Sequence, residues 1–399
     1  MEKHKTVSHA ITERKTVEMA LLKRFPAELD IFKPLVDYPV VDRFKDGSYG
    51  LSSTAFALYS NGHNVRGKSD FAPFGLIYHD NETIFSLGYF RKEGDPLEKP
   101  GYLIIVSPRG INSIEKVRDF VDSIPSIPLS GVCVRYLKFD QYLQLLNSGW
   151  LPAKEHPWHS EAPEEDESLT NGVIDLKKII KPDGSLNNLT SGGNNNHRRN
   201  FRLHCNRFSN FLRRNNLTYE LRKLEQSDTD AALQILETHF QLLRSLGKAI
   251  GSTMEDHLNS ISPRLISVPG VDAKIGFLDD VPVSLFVYEK LTDTKVGIYT
   301  TFTSRDKETV LTRLGIIGDD LPIRLKAEGQ SCVNSGVELT HETGFSAMPI
   351  YAYSVLFRDL LSQGIDTVHL GGSEHPDLNL IKRHMGGEPD PTYWAVKLL

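Results

Sequence analysis

Apolar residues recur along this chain at two spacings, every third or fourth position and every second, and the two rhythms mark out helices and strands. Val17, Leu21, Leu22 and Phe25 sit at helical spacing and predict a helix over residues 14–25. Runs rich in aromatic and β-branched residues at 74–78 and 83–90, separated by the polar His79-Asp-Asn-Glu82, predict a hairpin. A buried strand is expected at 102–106. Ile114, Val117, Phe120 and Val121 then line one face of a helix. A strand at 131–136 and a helix at 139–146, closed by Ser148-Gly149, complete the first half.

The pattern then lapses. Residues 161–167 are acidic, and 183–196 are a Gly/Asn/Ser tract, neither with enough apolar surface to offset the entropy of ordering. A short strand at 172–176 lies between them, and the domain boundary is placed here, giving domains 1–172 and 173–399. The second half opens with a basic helix at 197–215 and a strand at 218–224. Ser227 to Asp230 are expected to cap a helix running to Leu243. Long strands at 281–290 and 295–303 read as a second hairpin. No element is assigned over 304–347. Pro349 suits the first turn of a helix that runs to Leu361 and stops at Gly364. The last block is a short strand, Val368 to Leu370, then Gly371-Gly372, the loop Ser373-Glu374-His375, a short helix carrying Lys382 and Arg383, and a final strand from Thr392 to Leu398. That strand is expected to close the second half. Both halves follow one order of elements, which predicts two copies of a mixed-sheet α/β unit.

Composition narrows the function classes. With 39% apolar and 24% charged residues in 399, the chain is an ordinary globular protein of about two domains. A net charge of −5 argues against a surface built for duplex DNA. No window approaches 18 uninterrupted apolar residues, and the start is charged rather than an apolar signal core. Cys133, Cys205 and Cys332 are too widely spaced for a disulfide framework or a zinc site, so a cytoplasmic location is expected.

The strongest electrostatic feature is the basic helix. From Arg198 to Lys223 there are eight Lys/Arg against one acid, Glu220, while Phe201, Cys205, Phe208 and Leu212 should face the core. Arg202 is one turn from both Arg198 and Arg199, so the three project together and suit a phosphate, which guanidinium groups bind bidentately. The plainer alternative is a solvated basic face. Lys382, just past the glycine pair, suits a phosphate or a developing oxyanion. Alternatively it and Arg383 decorate the outside of a helix packed through Leu378, Ile381 and Met385. Glu338, His341, Glu342, His369, Glu374 and His375 are the candidate proton acceptors, with Glu374 preferred for its place after the bend. Nucleotide phosphate loops, nucleophile elbows and zinc motifs are missing from the sequence, and no metal is expected.

These residues carry a resemblance. The helix His197-Arg-Arg-Asn-Phe-Arg-Leu-His-Cys-Asn-Arg207, the helix from Asp228 to Leu246, and Val368-His-Leu-Gly-Gly-Ser-Glu with Leu380-Ile-Lys-Arg-His-Met-Gly-Gly387 are its carriers. Together they resemble the GCN5-related N-acetyltransferase (GNAT)-like domain at the catalytic end of bacterial phosphatidylglycerol lysyltransferases. They are also similar to Fem-type transferases that use aminoacyl-tRNA. The resemblance implies tandem GNAT-like acyltransferase domains with the catalytic cleft in 173–399. It implies transfer of an aminoacyl group, from aminoacyl-tRNA or alternatively from acyl-CoA, to an amine or hydroxyl of a small-molecule, lipid or peptide acceptor, with no further cofactor. In Fem-type proteins a Phe-Lys pair stands at the transfer site. Here the lysine is Lys382, and Ile381 replaces the aromatic. Arg198, Arg199 and Arg202 would then hold donor phosphates. Gly371 and Gly372, flanked by His369, Ser373 and Arg383, would admit the acyl group, while Lys382 and Glu374 would act in catalysis. The usual acetyl-CoA signature, Gln/Arg-x-x-Gly-x-Gly/Ala, is missing from both halves. A third, non-catalytic reading has the basic helix bind anionic lipid in a peripheral membrane contact, or a protein partner.

Overall fold

Two seven-stranded sheets carry the chain. The computed structural model describes residues 13, 15–31, 41–44, 47, 52, 54, 69–92, 99–152, 171–187, 195–245, 270–304, 307–316, 344–371 and 381–399. In chain order the strands are β1 (Leu29–Ile31), β2 (Ser69–His79), β3 (Thr83–Lys92), β4 (Tyr102–Gly110), β5 (Gly131–Leu137), β6 (Leu151–Pro152) and β7 (Asn171–Asp175). They continue with β8 (Tyr219–Lys223), β9 (Val271–Leu278), β10 (Val281–Thr292), β11 (Lys295–Thr303), β12 (Thr367–His369), β13 (Glu388–Asp390) and β14 (Tyr393–Leu398). The main helices are α1 (Ser113–Asp122), α2 (Phe139–Leu146), α3 (Asn195–Asn215), α4 (Thr229–Ser245) and α5 (Met348–Ser362).

The first sheet runs β1-β2-β3-β4-β5-β14-β6 and the second β13-β7-β12-β11-β10-β9-β8. Counted from β1 and from β8, both repeat one pattern of directions. Four antiparallel strands lead to one parallel pair, β4/β5 or β11/β12, and two antiparallel strands follow. A parallel neighbour needs a crossover, and α1 and α5 lie in the two crossovers. The two copies expected from the order of elements are therefore present.

The division between the copies is not the expected one. The final strand does not close the second half: β14 pairs with β5, Tyr393 opposite Leu137 and Leu398 opposite Gly131. In the second sheet the equivalent place beside β12 belongs to β7, from the middle of the chain. A cut between residues 172 and 173 passes through β7 and leaves β14 with the wrong sheet. Each unit thus lends the other a strand. Alternation marks β14 as a strand but is silent about its partner, since Trp394 and Val396 on one face and Ala395 on the other fit the inside of either sheet.

Packing follows the alternation. Leu103, Ile105, Val132 and Val134 point to the side of α1 and join Val117, Phe120 and Val121 in one core. Ile104, Val106 and Cys133 point the other way, onto Trp394 and Val396. In the second sheet Phe286, Tyr288, Val296, Ile298 and Val368 pack against α3 and α5 through Phe201, Cys205, Leu356, Phe357 and Leu360. Leu285, Val287 and Phe302 face α4 through Ile235, Leu236 and Phe240. The expected inner face of the basic helix is correct, and Phe211 joins it, fully buried.

Two local expectations change. Asp228 is buried, does not cap α4, and accepts from both Arg222 Nη1 and Nη2 at 2.6 Å and from the Glu225 amide at 3.0 Å. Residues 304–347 include a helix, Lys307–Arg313, whose Val310 and Leu311 are buried.

Candidate functional site

β11 and β12 pair only over Lys295–Thr367, Val296–Val368 and Gly297–His369. Beyond that point Tyr299 to Thr303 continue alongside β10, while β12 ends, so the sheet opens at its centre. Thr301, in the stretch that β12 no longer covers, accepts a hydrogen bond from Tyr353 Oη of α5 at 2.9 Å. Of the residues singled out in the sequence, His369, Gly371 and Lys382 lie together where β12 ends.

His369 closes β12 and is 7% exposed. Its Nδ1 is buried without a hydrogen-bond partner. Burial is the main influence on its imidazole and holds its pKa below the usual histidine value. Asp390 opposes the shift and Lys295 adds to it. The ring is therefore neutral near pH 7 and able to accept a proton.

Gly371 follows two residues later, with φ of 66°. Its carbonyl accepts from the Gly172 amide at 3.1 Å and from Lys382 Nζ at 2.9 Å. Lys382 lies in a helical turn at 381–384 and is 6% exposed. It therefore does not decorate the outer face. Its stem lies over Gly172, where an added Cβ would fall 3.4 Å from Lys382 Cδ, at ordinary contact distance. Met385 on the same segment is buried and Ile381 partly so, as expected of an inner face. Arg383 points out and is exposed. Gly372, Ser373, Glu374, His375 and Leu378 lie outside the described residues, as do Glu338, His341 and Glu342.

The basic helix reaches the same region. His204 on α3 is depressed in pKa by burial first, then by Arg207 and by His384 of the 381–384 turn, so the two segments are neighbours. Arg202 is half-buried and Arg207 exposed. Arg198 and Arg199 lie in the first turns of α3, their side chains outside those described. Not all the basic residues are available to a ligand: Arg222 is bound to Asp228 and Lys223 pairs with Asp272 at 3.2 Å. Among the described residues no group of three or more His, Cys, Asp or Glu could hold a metal ion, and no helix is long and apolar enough to cross a membrane.

Sequence reasoning missed Glu289, Gly297 and Tyr299. Glu289 is fully buried in β10, opposite Gly297, and its Oε2 accepts from the Thr54 amide of the first half at 2.8 Å. The one available signal was a glutamate inside an otherwise apolar strand.

Two mixed sheets, each with a single parallel pair and a crossover helix, joined in tandem and exchanging a strand, define a tandem GNAT-like α/β fold. Solved structures that superpose with TM-scores above 0.5 share this fold. A conserved protein of unknown function from Bacteroides thetaiotaomicron superposes with a TM-score of 0.56 at 11% identity, over 93% of this chain and 99% of that one. FemX superposes with a TM-score of 0.53 at 8% identity, over 93% and 97%. L-PGS from Bacillus licheniformis gives 0.48 at 11% identity, over 90% of each chain. No family model matches the sequence, and no curated protein matches it.

Proposed function

We propose that this chain is an acyltransferase that moves an aminoacyl group from aminoacyl-tRNA to an amine or hydroxyl acceptor, in the cleft of the second unit. The observation that carries this reading is that, where β12 ends, Lys382 grips the Gly371 carbonyl two residues after the buried His369, while His384 of the same turn lies beside His204 in the middle of the basic helix. The fold shared with FemX supports it. An aminoacyl ester is already activated, so catalysis reduces to positioning it against the nucleophile and stabilising charge on the carbonyl oxygen. Arg198, Arg199 and Arg202 would hold donor phosphates, while Gly371 and Gly372 admit the acyl group. Lys382 fixes the bend and brings positive charge to its edge. Recognition of a single-stranded tRNA end needs only a local basic patch, which a chain of net charge −5 can supply.

The test is filter binding of charged and deacylated bulk tRNA at two salt concentrations, comparing the wild type with an Arg198→Ala/Arg202→Ala double variant. Micromolar binding is expected. It should weaken with salt at a log–log slope near −0.7 per phosphate contact, and the variant's slope should be shallower. Absence of binding at low salt would overturn the tRNA reading and turn attention to acyl-CoA as donor.

A further inference from the structure

Residues that are partners across adjacent strands project from the same face of a sheet. In the second sheet Glu289 of β10 is opposite Gly297 of β11, and Gly297 is opposite His369 of β12. Glu289 and His369 thus stand on one face, two strands apart, at about 10 Å between backbones. The position between them has no side chain of its own.

That gap is filled from the same strand. The β10/β11 register shifts between Val287 and Tyr288, which pair with Thr300 and Ile298, so Tyr299 is the extra residue of a bulge. Bulges redirect side chains. Tyr299 lays its ring over Gly297: a Cβ placed there would lie 2.7 Å from the phenol oxygen and 2.9 Å from Cζ. Any residue other than glycine at 297 would displace the ring. The phenol oxygen is consequently held over the row between a buried carboxylate and a buried imidazole.

Both ends of the row are fixed in place. Glu289 is fully buried, with Oε2 held by the Thr54 amide. His369 is 7% exposed and keeps Nδ1 without a partner. Leaving such a nitrogen unpaired is unfavourable, because its lost hydration is not replaced. That cost is borne where the central strands part, the place at which a ligand can supply the missing partner. Lys295 from β11, Asp175 from β7, Glu388 and Asp390 from β13, Tyr299 and Glu289 are titratable groups on this face, Glu388 in the same row as His369. From α4, His239 is turned onto Phe302, with ring centres 5.1 Å apart.

We infer that His369 is the proton acceptor of the transfer reaction, with Tyr299, seated on Gly297, as its positioning residue. The inference rests on the acyl-transfer reading and names the base within it. As the acceptor's nitrogen or oxygen bonds to the ester carbonyl carbon, its proton passes to the neutral imidazole. The bond from that carbon to the ribose oxygen then breaks, and the same proton is returned to the ribose oxygen. The products are the acylated acceptor and a free ribose hydroxyl, and His369 ends as it began.

The test measures turnover of charged bulk tRNA, and separately of acyl-CoA, as a function of pH for the wild type, His369→Gln, Tyr299→Phe and Gly297→Ala. For the substrate that the wild type turns over, His369→Gln should lose at least about 100-fold in rate and the acidic limb of the pH profile. Its tRNA binding should be unchanged. Tyr299→Phe and Gly297→Ala keep the imidazole, and should lower the rate less and move that limb rather than abolish it. A His369→Gln enzyme with wild-type rate and profile overturns the inference while leaving the transfer reading intact. Turnover of acyl-CoA alone overturns the tRNA donor, and the same His369→Gln comparison then decides the base on acyl-CoA. A wild type inactive on both overturns both.

Discussion

Lys382 places its buried ammonium 2.9 Å from the carbonyl oxygen of Gly371, 11 residues earlier in the chain. The same oxygen already accepts from the Gly172 amide, so the end of β12, the start of β7 and the last helical turn meet at one atom. A hydrogen bond from a charged donor contributes about 1.5–3 kcal/mol.

Lys382→Met keeps most of the stem over Gly172 but removes the ammonium, and should destabilise the protein by about 2 kcal/mol. Lys382→Ala should cost more, because the methylenes that cover Gly172 are lost as well. Urea denaturation of both variants checks the order. Equal stability of Lys382→Met and wild type would show that the bond to Gly371 contributes nothing.

Val396 is fully buried in β14, between Cys133 of β5 and Leu151 of β6. Val396→Asp should therefore damage the first sheet, although it lies in the last strand of the chain. Trp150, buried in the core of that unit, is the reporter. Its fluorescence should shift to the red, with a loss of about 4 kcal/mol or more expected for an unpaired buried charge. An unchanged Trp150 spectrum would count against the strand exchange.

Gly110 ends β4 with φ of 107°, and a Cβ there would fall 1.9 Å from the Glu82 carbonyl oxygen. Gly110→Ala combines left-handed strain with a clash against backbone that cannot swing away. A loss of about 3 kcal/mol is expected, read as a lowered melting temperature.

The Arg222 guanidinium, gripping Asp228 through both nitrogens, holds that carboxyl below the usual aspartate range. A carboxyl depressed in the folded state stabilises above its unfolded pKa, about 3.9, and loses that contribution as pH falls toward its folded value. Asp228→Asn should thus cost about 1–2 kcal/mol at pH 7, given that Arg222 is partly exposed. The gap to wild type should narrow as the pH drops below about 4. Urea midpoints of the two proteins at pH 7, 4 and 3 make the comparison.

Local pattern carried most of the elements. The hairpin turning at residues 79–82 lies between β2 and β3, the helix at 139–146 is α2, and the helix expected from Pro349 is α5 with one residue more at each end. The inward set Phe201, Cys205, Phe208 and Leu212 was also legible, because helical spacing alone selects it. What could not be read were long-range choices. β9, strongly alternating at Val271, Ala273 and Ile275, had gone unassigned, and the partner of β14 depends on a residue about 250 positions away. Lys382 was identified as a candidate, but the Gly371 carbonyl that it meets follows from the fold. Glu289 and Tyr299 join the site only through strand register and a bulge, neither of which a linear pattern shows.

The position of β14 also bears on how the molecule is made. On the ribosome β5 emerges roughly 250 residues before the strand that will cover its free edge. At about 5–20 residues per second, that edge waits roughly 13–50 seconds for its partner. Throughout that interval the nascent first unit exposes unpaired amides and carbonyls, an invitation to wrong neighbours. Emergence of β14, rather than completion of the first unit's own sequence, is the event that lets this half mature.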